Sequence, residues 1–146
     1  MIDLSNEEKT AQQVASHMMD TDQVAKALGI NLDDIKPGFA KMSLQITGKM
    51  LNGLGIGHGG VTYTLADTAF AFSCNSRNKR TVALNCSIHY CAKVEQGDEL
   101  CATAVERSLT GRTGIYDVTV TNQKGITIAH FRGTSYATSD PVIEQL

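Results

Sequence analysis

Between Met50 and Ser76, twenty-seven residues carry a single formally charged side chain, Asp67. The second part of this stretch, residues 61–76, is rich in Ala, Thr and Phe and holds neither Gly nor Pro; it follows the glycine cluster Asn52-Gly53-Leu54-Gly55-Ile56-Gly57-His58-Gly59-Gly60. A helix so poor in charge has no face to offer water, so it must be buried, about 24 Å long at ~1.5 Å per residue. Whatever else the chain forms has to wrap around it.

The remainder supplies suitable material. Residues 7–28 are helix formers with Val14 and Met18 at i, i+4, then Val24, Ala25 and Leu28, and Gly29 is placed to end the run, giving one helix or two short ones. Beyond Pro37-Gly38, Lys41, Ser43, Gln45 and Thr47 alternate with Met42, Leu44 and Ile46, the period-two signature of a half-buried strand. After the buried helix the chain reads as strands only. Val82, Leu84, Cys86, Ile88 and Tyr90 alternate with Ala83, Asn85, Ser87 and His89, and further strands fall near 98–107, 114–122 and 126–137. Turn signals at Gln96-Gly97-Asp98, Thr110-Gly111 and Lys124-Gly125 separate them, which suggests antiparallel hairpins. The order is helix, strand, central helix, four strands, an α+β arrangement. At 146 residues this predicts one domain, 1–146.

Charge and cysteine usage exclude several functions. A formal net charge of −2 leaves no bulk positive field for nucleic acid or an anionic membrane. No apolar run approaches the roughly 18 residues that span a bilayer, and Met1 to Thr10 is too polar for a signal peptide, so the chain reads as cytoplasmic. Cys74, Cys86, Cys91 and Cys101 then read as reduced thiols. Their spacing lacks C-x-x-C and argues against a metal site.

Two features carry chemistry. Asp67 has Tyr63, Thr64, Phe70 and Ala71 as helical neighbours, none able to neutralise it. A carboxylate entering an interior without a cation costs several kcal/mol or shifts its pKa upward, so it has either a partner or a job; the alternative is a solvent-facing or capping acid. Residues 55–60 formally match G-x-G-x-x-G, but the preceding strand alternates, position 80 is Arg80 and no helices follow to cover a parallel sheet, which speaks against dinucleotide binding. No P-loop lysine follows. The glycines are better used at a helix mouth, where Gly59 and Gly60 expose backbone N–H groups and the helix dipole favours negative charge. Asp67 lies about two turns further on, roughly 10–12 Å along the axis, so one chain does not bring both to one carbonyl. The distance points to an opposing subunit as the source of the carboxylate.

At these residues the sequence resembles the PaaI-type hotdog-fold acyl-CoA thioesterases. The matching residues are Met50-Leu51-Asn52-Gly53, His58-Gly59-Gly60, Leu65-Ala66-Asp67-Thr68-Ala69-Phe70-Ala71 and Cys74-Asn75-Ser76. They continue through Gly97-Asp98, Gly114-Ile115-Tyr116-Asp117 and Phe131-Arg132-Gly133, so the likeness spans about Ala27 to Tyr136. The resemblance implies a hotdog fold, a curved antiparallel sheet around one long central helix. It implies homodimers with shared active sites, commonly dimers of dimers, and hydrolysis of (hydroxy)phenylacetyl-CoA or a related aromatic or medium acyl-CoA in phenylacetate catabolism. Gly59 N–H would bind the thioester carbonyl, Asn52 would help to fix it, Asp67 of the partner would activate water or attack, and His58 would shape the loop. Gly60, Asn85, Lys93, Arg112, Thr113 and Gly114 are the implied substrate-binding positions. No metal or redox cofactor is implied, coenzyme A being part of the substrate.

The match departs from the family at two places. Ala83 stands where some relatives hold the catalytic water with Ser or Thr, with Asn85 and Ser87 sharing its strand parity. Ala92-Lys93 replaces an Arg-Pro pair. Two rival readings remain: a hotdog hydratase, which would want a histidine one turn after Asp67 where Phe72 stands, and a non-catalytic acyl-CoA sensor, which gains nothing evident from an uncompensated Asp67.

Overall fold

The computed structural model describes residues 2–146. Ser5 opens α1 (Asn6–Thr21) with a reciprocal capping box to Glu8, and Asp22 ends it. Asp22 then caps α2 (Gln23–Leu28) by accepting from Ala25 N–H, and Gly29, at φ 78°, closes that helix in the left-handed region. The N-terminal run is therefore two helices, broken where one aspartate serves two ends.

Six strands follow: β1 (Asn31–Lys36), β2 (Phe39–Gln45), β3 (Thr81–Tyr90), β4 (Glu99–Thr110), β5 (Thr113–Thr121) and β6 (Thr127–Ala137). They form one sheet in the order β1-β2-β4-β5-β6-β3, and every pairing is antiparallel. The sequence reading missed β1. Its Asn-Leu-Asp-Asp-Ile-Lys has only Ile35 buried and is poor in strand formers, and it is held at the sheet edge by the hairpin through Pro37-Gly38. The sheet curves around α3 (Gly59–Asn75), which touches all six strands. Ten of the seventeen α3 residues are buried, as a helix with no solvent face requires. Phe70 packs at 5.6 Å from the Tyr116 ring and 5.9 Å from the Phe131 ring. A Cβ on Gly133 would stand 2.7 Å from Phe70, so the sheet approaches the helix this closely only because β6 carries glycine there.

β3 holds the arrangement that matters most for the site. It lies at the far edge of the sheet, bonded to β6 on one side only, and Val82, Leu84 and Tyr90 are about half exposed. A register shift at Leu84 separates Ala83, opposite Ser135, from Asn85, opposite Thr134. Because of this bulge, Ala83 shares the helix-facing side with Cys86, Ile88 and Tyr90, whose partners Gly133, Phe131 and Ala129 are buried. Asn85, Ser87 and His89 face the outer surface. The even alternation expected for this strand, and with it the shared parity of Ala83 and Asn85, is corrected by one residue. Among the described residues no helix is long and apolar enough to cross a membrane, and all four cysteines are free.

Candidate active site

The loop before α3 is organised by Asn52. Its Oδ1 accepts from Leu54 N–H at 2.9 Å and Ile56 N–H at 3.3 Å, while its backbone N–H donates to Ile56 O at 2.8 Å. Gly57 N–H then donates to Val94 O at 2.7 Å, and a Cβ on Gly57 would stand 2.6 Å from Val94 Cγ1, so only glycine lets the loop lie this close to the 92–94 segment. The Asn52 carbonyl end is thus consumed by the loop. Its Nδ2 donors have no partner among the described residues.

His58 is the N-cap of α3. Its Nδ1 accepts from Gly60 N–H at 2.9 Å, and its carbonyl takes Val61 N–H at 3.0 Å and Thr62 N–H at 3.4 Å. Accepting at Nδ1 places the proton of the neutral ring on Nε2, an assignment that follows from the hydrogen-bond network. His58 N–H itself bonds Met50 O at 2.8 Å. Among the described residues one first-turn donor has no partner, Gly59 N–H. Of the two glycines expected to offer backbone donors, Gly59 does so and Gly60 does not, since the cap occupies it.

Gly59 and Asn52 line the same cavity, about 410 Å³, together with Ile56, Gly57, Thr62, Tyr90, Cys91, Ala92, Lys93 and Val94. Helix macrodipole and free amide donors both favour a developing negative charge there. Lys93 stands at the rim, 3.2 Å from Glu95. Two residues of the wall were not singled out from sequence. Thr62 is buried, and its hydroxyl bonds no other described residue, whereas Thr64 and Thr68 bond back to Gly60 O at 2.8 Å and Thr64 O at 2.7 Å. Tyr90 donates from Oη to Gly59 O at 2.7 Å. A spacing rule cannot find either residue, because Thr62 is one of three similar threonines and Tyr90 arrives from another element.

Asp67 is half-buried in the middle of α3 and does not line this cavity. Burial pushes its carboxyl above the ordinary 3.8, the Asp22 carboxylate adds to the rise, and a contact from the Cys86 thiol opposes it. Cys86 Sγ stands 3.9 Å from Asp67 Oδ1. Cys86 is placed for this contact by its position opposite Gly133, on the helix-facing side of β3. No cation neutralises Asp67 among the described residues, so no ion pair offsets the desolvation that raises its affinity for a proton.

The remaining expected positions lie elsewhere. Asn85 faces the outer surface of the sheet and does not reach the cavity. Arg112 lines a second cleft with Cys74, Arg77, Lys79, Thr81 and Tyr116, and its guanidinium donates to Ala137 O at 2.9 Å and Ser139 Oγ at 3.1 Å. Thr113 is exposed at the same hairpin end. Gly114 is buried, and a Cβ there would stand 2.8 Å from both Ser135 and Tyr116, so it is a packing glycine rather than an accessible contact.

A free amide pair at the mouth of a buried helix, with an unneutralised acid two turns on and a hotdog sheet around it, defines a site for attack on a carbonyl. A model of the thioesterase superfamily matches residues 54–129. The chain is 44% identical over 126 residues to the acyl-coenzyme A thioesterase PaaI of Escherichia coli, covering 86% of this chain and 90% of that one. The solved structure of the E. coli PaaI protein, from the phenylacetic acid degradation operon, superimposes with a TM-score of 0.91 at 40% identity, over 93% of this chain and 99% of that chain. The smu.793 protein of Streptococcus mutans, solved with acetyl CoA bound, gives a TM-score of 0.74 at 28% identity over 77% of this chain and 90% of that one. This chain belongs to the thioesterase superfamily. It is a hotdog-fold hydrolase of thioester bonds.

Proposed function

We propose that the protein hydrolyses acyl-CoA thioesters to the free acid and coenzyme A, with an aromatic acyl group of the phenylacetyl type as substrate. The observation that carries this reading is the convergence of the free Gly59 N–H and the free Asn52 Nδ2 on one cavity. The thioester carbonyl oxygen sits between these donors, which strengthen as it becomes an oxyanion. Asp67 supplies either the base that activates water or the attacking carboxylate. Coenzyme A is substrate, and no resident metal or redox group is needed for either step.

The site is completed by a second copy paired through β3. That strand has a free ladder edge and three half-exposed apolar side chains, which a second copy would cover. Antiparallel pairing about a two-fold axis brings the Tyr90 end of one β3 against the Thr81 end of the other. The Gly59 cavity then adjoins the cleft holding the partner's Lys79 and Arg112, two cations suited to coenzyme A phosphates. Asp67 reaches the opposite subunit's cavity in the same way, and two such dimers assemble into a tetramer. Four free thiols suit a cytoplasmic location.

The test is thiol release from a panel of acyl-CoAs by wild type and Asp67→Asn, with solution mass measured alongside. Wild type releases thiol fastest from aryl-acetyl-CoA, the variant loses activity, and the mass is a multiple of the monomer. Binding without release, or a fully active monomer, overturns the reading.

A further inference from the structure

The oxyanion donor sits in a glycine-rich piece of backbone. Gly59 and Gly60 follow a loop with glycines at 53, 55 and 57, and consecutive glycines carry the largest conformational freedom of any residues. The cap fixes Gly60 through His58 Nδ1, and the peptide that carries Gly59 N–H is held at its other end, where His58 O takes Val61 and Thr62 N–H. What reaches Gly59 from outside the helix is Tyr90. Its Oη donates to Gly59 O at 2.7 Å, and its ring covers Gly59 so closely that a Cβ there would stand 3.2 Å from both Cζ and Oη. Tyr90 is also the last residue of β3 and a wall of the cavity.

We propose that Tyr90 is a positioning residue, a clamp that fixes the peptide carrying the Gly59 carbonyl, so that Gly59, held on its other side through His58 O, keeps its N–H pointed at the thioester carbonyl. The proposal rests on the thioesterase reading and deepens it. Tyr90 acts through Gly59, by a hydrogen bond to its carbonyl and by a ring that leaves no room for a side chain there, and the bond donated to Gly59 O leaves Gly59 N–H free for substrate. The hydroxyl lies at the end of the free-edge strand. A change in how that strand pairs is therefore passed to the oxyanion donor through one side chain.

Tyr90→Phe keeps the ring and removes the hydrogen bond. One such bond, expressed in the transition state only, corresponds to a fall of about fivefold in kcat. KM for aryl-acetyl-CoA stays within about twofold, since the ground-state carbonyl leans little on a donor placed for the oxyanion. Backbone amide order parameters of Gly59 and Gly60 fall in the variant, and its thermal midpoint stays near that of wild type. Equal order parameters in the two proteins overturn the clamp whatever the kinetics. A drop in order parameters with unchanged kcat, or a raised KM with unchanged kcat, overturns its role in positioning the donor. Absence of thiol release by wild type sinks the thioesterase reading instead, and the order parameters still decide whether Tyr90 holds Gly59.

Discussion

Asn52 performs two tasks with the two ends of one amide, and two substitutions separate them. Its Oδ1 holds the loop through Leu54 and Ile56 N–H, and its Nδ2 is free to face the substrate. Asn52→Asp keeps an acceptor for both loop bonds, now charged, and replaces the donor by a negative oxygen. Loss of one oxyanion donor costs about 10²–10³ in kcat. A carboxylate roughly 4 Å from the developing oxyanion adds about 4 kcal/mol of repulsion at an effective dielectric near 20, another factor on the order of 10³. Asn52→Asp therefore loses thiol release to background, while its thermal midpoint stays at or above that of wild type. Asn52→Ala removes the donor without adding charge, so its activity falls by only about 10²–10³. It also strands two loop N–H groups, costing about 1–2 kcal/mol of stability, partly relieved by water. The assay is steady-state thiol release beside thermal melts. If Asn52→Asp keeps kcat within a few-fold of wild type, the amide does not face the carbonyl and the division of labour is refuted.

Three further outcomes follow from the site and its supports. Burial and the Asp22 charge raise the Asp67 proton affinity, and a base must be deprotonated to act, so kcat/KM falls on acidification at a higher pH than an ordinary carboxylate near 3.8 would give. Asp22→Asn, which can still cap α2, moves that acid limb to lower pH; an unmoved limb would mean the two acids do not interact. Thr62→Val removes a hydroxyl in the cavity wall that has no partner among the described residues, so KM for acyl-CoA rises about fivefold at unchanged stability, as loss of one substrate hydrogen bond predicts; unchanged kinetics would show that the hydroxyl meets no substrate. Burial pushes the Glu106 carboxyl up, but bonds from Arg77 at 2.6 Å and Tyr116 at 2.9 Å outweigh it and hold its pKa below the ordinary 4.5. Its stabilising contribution is thus full above the unfolded value and is lost as pH falls through the folded one. Urea melts of Glu106→Gln against wild type test this, the variant showing the shallower loss of stability below about pH 5.

The buried helix, its glycine mouth and the four strands after it were legible because each rests on local pattern: Gly29 stops α2, the Lys41 to Thr47 alternation marks β2, and the 61–75 run has no polar face. Asp67 and Gly59 stood out for the same reason, one by its isolation and the other by its place. β1 was not legible, since its residues favour no strand and it exists through pairing with β2. The bulge at Leu84 was not legible either, and it reversed the facing of Asn85. Gly60 and Gly114 were expected at the substrate, but one is taken by the His58 cap and the other by packing against Tyr116, competitions that only the assembled fold decides.

That bulge gives β3 two reading frames. Ala83 lies in one and Cys86, Ile88 and Tyr90 in the other, and the extra residue between them lets both sets look at the same helix. Without Leu84, plain alternation would still aim all four at α3. The bulge formed by Leu84 and Asn85 is therefore a place where the chain can lose either residue and keep its chemistry in phase, whereas a single deletion between Cys86 and Tyr90 would shift the strand on one side of the cut by one residue. Tolerance to length change is concentrated at this bulge, on the very edge where a second copy would pair.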